Sequence, residues 1–159
     1  MTRLFASVSL PALLAALLAM PATAALKNGA VAPDFKARAS IGGKQFDFAL
    51  AEALKKGPVV LYFYPAAFTP GCTIEAHNFA DAMEDFEKLG ATVIGVSHDS
   101  IQTLDKFSLT ECRGKFPVAA DTSGRIMRSY DAVMRGVPDY ADRVSYVIAP
   151  GGLVIYNYT

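Results

Sequence analysis

Residues 63–77, FYPAAFTPGCTIEAH, place a cysteine directly after Thr-Pro-Gly and directly before a run with helical spacing. They overlap the apolar segment PVVLYFYP, residues 58–65, which is rich in β-branched and aromatic side chains. Such a run reads as a strand buried on both faces, as in a parallel sheet. Beyond Gly71 the period changes. Ala76, Phe79, Ala80, Met83, Phe86 and Leu89 recur every three or four residues, with Glu75, Asp81, Asp85 and Lys88 between them. This spacing predicts an amphipathic helix ended by Gly90. ATVIGVS, residues 91–97, is a second apolar strand. Strand, helix and strand in succession imply a right-handed crossover with parallel pairing.

Working outward, Gly42-Gly43 suggests a hairpin, and FALAEALKKG sets Leu50, Ala53 and Leu54 on one helical face before Gly57. Ser100 is placed to cap a helix carrying Ile101, Leu104 and Phe107. A short strand near FPVAA and a short helix over residues 124–130 follow. RVSYVIAPGGLVIYNYT reads as two strands about the turn Pro150-Gly151-Gly152. The class is α/β, with one domain over residues 25–159, and no repeat or linker interrupts it.

Lys+Arg and Asp+Glu balance at 15 each in the 159 residues. A neutral chain has no broad attraction for nucleic acid or an anionic membrane, so neither partner is expected. The first residues, MTRLFASVSLPALLAALLAMPATAAL, carry Arg3, an apolar run and the triplet Ala22-Thr23-Ala24. Residues 1–24 therefore read as a signal peptide cleaved after Ala24, and the mature chain as an exported protein of a bacterial periplasm, where disulfides form. The rival reading is an uncleaved anchor, but the run from Leu4 to Met20 falls short of the roughly 20 residues a spanning helix needs. No cysteine stands near its end, which argues against a lipid anchor, and no stable membrane association is expected after cleavage.

Thr69 is placed to cap the helix with its hydroxyl, Pro70 suits the first helical position, and Cys72 falls in the first turn. Unbonded N–H groups and the positive end of the helix dipole meet there and favour a thiolate. The alternative is that Cys72 is a small buried hydrophobe.

Pro65, Thr69 and Cys72 reproduce the Pro-x-x-x-Thr-x-x-Cys motif of peroxiredoxins, and FYP…FTPGCTIEA resembles the Q-type, or bacterioferritin-comigratory, branch. GVSHDS, FPVAAD and RVSYVIAPGG follow in that family's order, the last supplying Arg143. The resemblance implies a thioredoxin-like fold, a central mixed sheet flanked by helices. It also implies a thiol-dependent peroxidase that reduces hydrogen peroxide and organic hydroperoxides through a sulfenic acid at Cys72. An ordinary thiol with pKa near ~8.5 is only about 3% ionised at pH 7, so full ionisation raises the rate at most about thirtyfold. The remainder must come from contacts stronger in the transition state. Arg143 offers a rigid fork for both sulfur and a peroxide oxygen, and the Thr69 hydroxyl is expected to donate to one and accept from the other. Pro65, lacking an N–H, serves by shape. Taken singly, Pro65 ends a strand, Thr69 caps a helix and Arg143 occupies an edge strand; it is their combination that points to a site. Glu75 also matches the family pattern, or else complements the helix dipole as a first-turn carboxylate.

A second thiol is needed to turn the sulfenic acid into a disulfide. Relatives of the Q type carry it five residues after the nucleophile, where this chain has His77, or on the helix after the next strand, at the place of Ser108. Cys112 stands about one turn beyond that place and is the internal candidate for the resolving cysteine. The alternatives are a buried spectator, with an external thiol resolving Cys72, and a static structural bridge. His77 and His98 lack the paired spacing of metal ligands, so neither metal nor cofactor is expected. The expected partners are a peroxide and a thiol reductant, either a thioredoxin-like protein or a small thiol, and the chain is expected as monomer or homodimer. Relatives usually add a helix after the last strand, whereas this sequence ends at VIYNYT, so the fold is expected without it. Either the sequence is truncated or a partner covers the sheet face that the helix would pack on, and otherwise Val154 and Tyr156 are expected to be exposed. Two other classes remain: a thiol–disulfide exchanger, disfavoured by the lack of Cys-x-x-Cys, and a redox-sensing or binding module.

The N-terminal reading has a direct check. Protein recovered from the periplasm of a producing bacterium should have an intact mass that begins at Ala25; a mass retaining residues 1–24 rejects cleavage.

Overall fold

The computed structural model describes residues 25–159; the signal and cleavage site expected over residues 1–24 lie outside the described residues. In chain order the elements are β1 (Lys36–Ile41), β2 (Lys44–Ala49), α1 (Leu50–Leu54), β3 (Val59–Phe63), α2 (Pro70–Lys88) and β4 (Thr92–Ser97). Then come α3 (Ile101–Thr110), β5 (Val118–Ala120), α4 (Arg125–Ser129), β6 (Val144–Ile148) and β7 (Val154–Tyr158). The strands form one seven-stranded sheet in the order β2-β1-β5-β4-β3-β6-β7. β3 pairs parallel with β4 and antiparallel with β6, and β4 pairs parallel with β5. This is the mixed sheet flanked by helices that the sequence predicts. Among the described residues no helix is long and apolar enough to cross a membrane.

β3 is buried at every position because it lies inside the sheet with helices on both sides. Its alternation assigns the two faces. Val59, Leu61 and Phe63 join α1 and α4 in one core, whereas Val60, Tyr62 and Tyr64 join α2 and α3 in the other. Both cysteines belong to the second core. Gly95 of β4 makes room there: a Cβ at this position would lie 2.7 Å from the Tyr62 ring, which stacks on Phe79 at 4.4 Å.

The turns follow their residues. Ile41 pairs with Lys44, and between them Gly42 and Gly43 take φ of 55° and 78°, the two left-handed positions of a tight hairpin. At the end of α2 the Ala91 N–H bonds the Phe86 carbonyl and the Gly90 N–H bonds that of Glu87, with Gly90 left-handed. This double bond pattern terminates the helix. It also corrects one expectation: Leu89, the residue at the cap, is turned out of the core and is 74% exposed.

A second correction concerns the final strand. Tyr156 is 54% exposed as expected, but Val154 is fully buried. The segment before β1 covers it: Gly29 N–H bonds the Val154 carbonyl, the Val154 N–H bonds the Ala30 carbonyl, and Val31 bridges Leu153. A register shift between Val147 and Ile148 then separates Val154 from Tyr156, which pairs with Val147. Across that bulge the strand places the two side chains on opposite faces.

Candidate active site

The site is built where β3 hands over to α2. Thr69 stands at the cap position with φ −72° and ψ 147°, and Pro70 opens the helix. The Thr73 N–H makes the first bond of the helix, to the Thr69 carbonyl at 2.9 Å. The N–H groups of Gly71 and Cys72 precede it and have no carbonyl within the helix to bond. Cys72 thus lies in the first turn as predicted, and its residue is only 1% exposed.

The Thr69 hydroxyl does not cap the helix. It donates to the Ala66 carbonyl at 3.1 Å. The turn between them, in which Phe68 takes φ 64°, brings that carbonyl within reach of Oγ1. With its proton committed, the hydroxyl retains acceptor lone pairs. Non-glycine residues take such a φ at a cost, and here the turn is held from outside: Asp99 Oδ2 accepts the Ala67 N–H and the Ser97 hydroxyl, each at 2.8 Å. Phe68 itself packs edge-on against Phe107, the ring centroids 5.2 Å apart.

Arg143 arrives from the residue just before β6, an interior strand, rather than from an edge strand. One guanidinium nitrogen, Nη2, donates to Cys72 Sγ at 3.2 Å, and Nη1 donates to Glu75 Oε2 at 2.6 Å. A fixed positive fork beside the sulfur stabilises negative charge on it. Glu75 is not a first-turn residue but the sixth of the helix, one turn beyond Cys72, where it faces Arg143 and not the free N–H groups. Burial pushes its carboxyl above the ordinary 4.5, although the charge and hydrogen bond of Arg143 pull the other way. Gly71 is the silent member of this arrangement. A Cβ there would sit 2.7 Å from Arg143 Nη2, so the guanidinium lies over bare backbone.

Pro65 lines a cavity of about 330 Å³ with Ala66, His98, Asp99, Asp139 and Tyr140. Cys112 lies in the turn after α3, its N–H bonded to the Phe107 carbonyl at 3.0 Å. It is wholly buried, and this burial, with the Glu111 charge as a smaller cause, pushes its thiol far above the usual range. Both cysteines are free thiols in one apolar cluster with Tyr62, Tyr64, Phe107 and Phe116. Ser108 points elsewhere, binding the Ser40 hydroxyl and the Gly43 N–H of the first hairpin. The shift of one turn therefore takes Cys112 towards the core that holds Cys72.

The structure thus brings Cys72, Arg143 and Glu75 into contact, holds Thr69 and Pro65 in the adjoining turn, and leaves Cys112 in the shared core. Gly71 and Asp99 escape sequence reading, since their roles depend on Arg143 and on the Ala67 backbone, both distant in the chain. Only the tripeptide Thr-Pro-Gly before the cysteine hinted at the first.

Residues 28–157 match the model of the AhpC/TSA family. A Helicobacter pylori (strain J99) chain carrying the name peroxiredoxin bcp is 39% identical over 107 residues, 67% of each chain. The chloroplastic peroxiredoxin Q of Oryza sativa subsp. japonica is 34% identical over 134 residues, 84% of this chain and 59% of that one. Among solved structures, peroxidoxin BcpB from Mycobacterium tuberculosis superimposes with a TM-score of 0.75 at 29% identity, over 84% of this chain and 86% of that one.

Two measurements test the geometry. Gly71→Ala favours the helix by about 1 kcal/mol in propensity but displaces the guanidinium, so oxidation of Cys72 by hydrogen peroxide should slow by about 10- to 100-fold without loss of melting temperature. An unchanged oxidation rate would show that Arg143 need not lie where it does. Because the carboxyl of Glu75 is raised, it takes up its proton at a higher pH than an ordinary carboxylate and loses its hold on Arg143 there. The oxidation rate should fall on acidification with a component centred above 4.5, and Glu75→Gln should abolish that component. Identical acid limbs in the two proteins would remove Glu75 from the site.

Proposed function

We propose, from the premise that this chain belongs to the AhpC/TSA family and is a peroxiredoxin, a thiol-dependent peroxidase, that Cys72 is its peroxidatic nucleophile and Arg143 the group that aims it. One observation carries the assignment: a single guanidinium reaches both Cys72 Sγ and Glu75. The Cys72 thiolate attacks the hydroxyl oxygen of the peroxide. An S–O bond forms, the O–O bond breaks, and its electron pair leaves on the far oxygen, which takes a proton and departs as water or an alcohol. Charge passes from sulfur to oxygen, and the Arg143 fork stays beside it throughout. The Thr69 hydroxyl, which donates its hydrogen bond to the Ala66 carbonyl, accepts from the incoming peroxide. Pro65, without an N–H, closes the approach by shape.

Cys112 is the resolving thiol of this reading, and a thioredoxin-like protein or a small thiol then reopens the disulfide. Peroxiredoxins as a family use peroxide substrates and reductants of that kind. We place the mature protein, from residue 25, in the bacterial periplasm, on the strength of the N-terminal apolar run and its Ala-x-Ala site.

Peroxide consumption with a thiol donor tests the assignment. Cys72→Ser should lose it entirely, and Arg143→Gln should lower the rate of Cys72 oxidation by about 100- to 1000-fold. Cys112→Ser should keep the first turnover and stop as the sulfenic acid until external thiol is added. Full activity in Cys72→Ser would reject the nucleophile, and rapid oxidation in Arg143→Gln would reject the aiming group.

A further inference from the structure

The two residues that flank Cys112 are both fastened to α2. On one side Glu111 Oε2 meets His77 Nε2 at 2.9 Å, and on the other Arg113 Nη1 meets Asp81 Oδ1 at 2.5 Å. His77 and Asp81 stand four residues apart, one above the other on the same helix face, beyond the turn that carries Cys72. Between the two fasteners Cys112 is turned inward, wholly buried and bonded through its N–H to Phe107. Arg113 takes φ 53° and Gly114 φ 66°, so the segment turns sharply just after the cysteine, with a non-glycine residue in the left-handed region. The two fasteners, the burial and the backbone bond hold Cys112 in.

We propose that the Glu111–His77 and Arg113–Asp81 pairs act together as a clasp that restrains Cys112, making these four positioning residues of the resolving step. The inference rests on the reading of Cys112 as the resolving thiol. In that step Cys112 gives up its proton and attacks Cys72 Sγ; an S–S bond forms, the S–O bond of the sulfenic acid breaks, and hydroxide takes up a proton to leave as water. No further oxidant enters. The two thiols are free although they share one core, and a disulfide needs Cα atoms within about 7 Å and sulfurs in line, so on this reading Cys112 leaves its packed position to form it. Burial of its thiol points the same way, since a neutral buried thiol is a poor attacking group. Unwinding the first turn of α2 frees Cys72 but leaves His77 and Asp81 in place, so the clasp must open separately. Its opening sets the interval during which the sulfenic acid is exposed to a second peroxide and to conversion into sulfinic acid.

The test uses the full mature protein with one equivalent of hydrogen peroxide, rapid acid quench and mass spectrometry of sulfenic acid and linked species. Glu111→Gln and Arg113→Gln should each leave sulfenic acid formation unchanged and speed the Cys72–Cys112 linkage about three- to fivefold, and the double variant about tenfold. The charge-swapped pair Asp81→Arg with Arg113→Asp should return to within about twofold of the wild-type rate, which a loss of packing alone would not do. High salt should speed linkage in the wild type and not in the double variant. The faster variants should also yield less sulfinic acid at excess peroxide. Equal or slower linkage in all variants overturns the clasp while leaving Cys112 as the resolving thiol. Persistent sulfenic acid with no linkage in any variant, wild type included, removes the resolving role and the clasp with it.

Discussion

The guanidinium of Arg143, held between Glu75 and Cys72, is the constraint on which the arrangement of this molecule turns. It joins the residue that leads into β6 to the first two turns of α2, elements brought together only by the β3–β6 pairing. An arginine has many rotamers, and ordering one costs entropy. Here a carboxylate takes one arm, and a residue without a side chain leaves space for the other. Glu75 is itself penalised by burial, a cost that the charge and hydrogen bond of Arg143 offset in part. Geometry, rather than the count of charges, is what the pair contributes.

The turn before Cys72 is organised by a different economy of bonds. The sequence suggests that the Thr69 hydroxyl caps α2; instead it reaches back to Ala66, while Asp99 secures Ala67 from the neighbouring β4–α3 connection. Since β3 and β4 are parallel neighbours, their carboxyl ends present these two loops side by side. On the proposed reading, a hydroxyl spent on helix capping would have one lone pair fewer to offer the peroxide. The loss of one cap is a modest local cost beside that gain.

Much of the fold was legible because its signals are local. The uninterrupted apolar run of β3, the three-and-four spacing of α2, the paired glycines at residues 42–43 and the terminal Pro-Gly-Gly each act over a few neighbours, and each element formed where they indicated. Cys72 was legible for the same reason. Two misses depend on contacts between distant segments. Val154 is buried because residues 29–31 lie on it, and Glu75 faces an arginine 68 positions away. Thr69 and Leu89 are local misses: the Thr69 hydroxyl turns back three residues to Ala66 instead of capping α2, and Leu89 sits where the helix stops. There the helical period continued in the lettering for one residue after the backbone had already begun its stop at Gly90.

The zigzag of β3 has a consequence for how this protein tolerates change. Neighbouring side chains of one strand serve opposite sides of a wall, and both sulfurs stand on one side of it. The layer formed by α1, α4 and the N-terminal strap is scaffolding, joined to the chemistry through the sheet and through the segment after α4, where the Asp142 N–H bonds the Ala132 carbonyl beside Arg143. A tag or a tether laid on α1, away from the segment that leads to Arg143, sits across the sheet from both sulfurs, which makes the molecule, in engineering terms, a part with a working face and a mounting face.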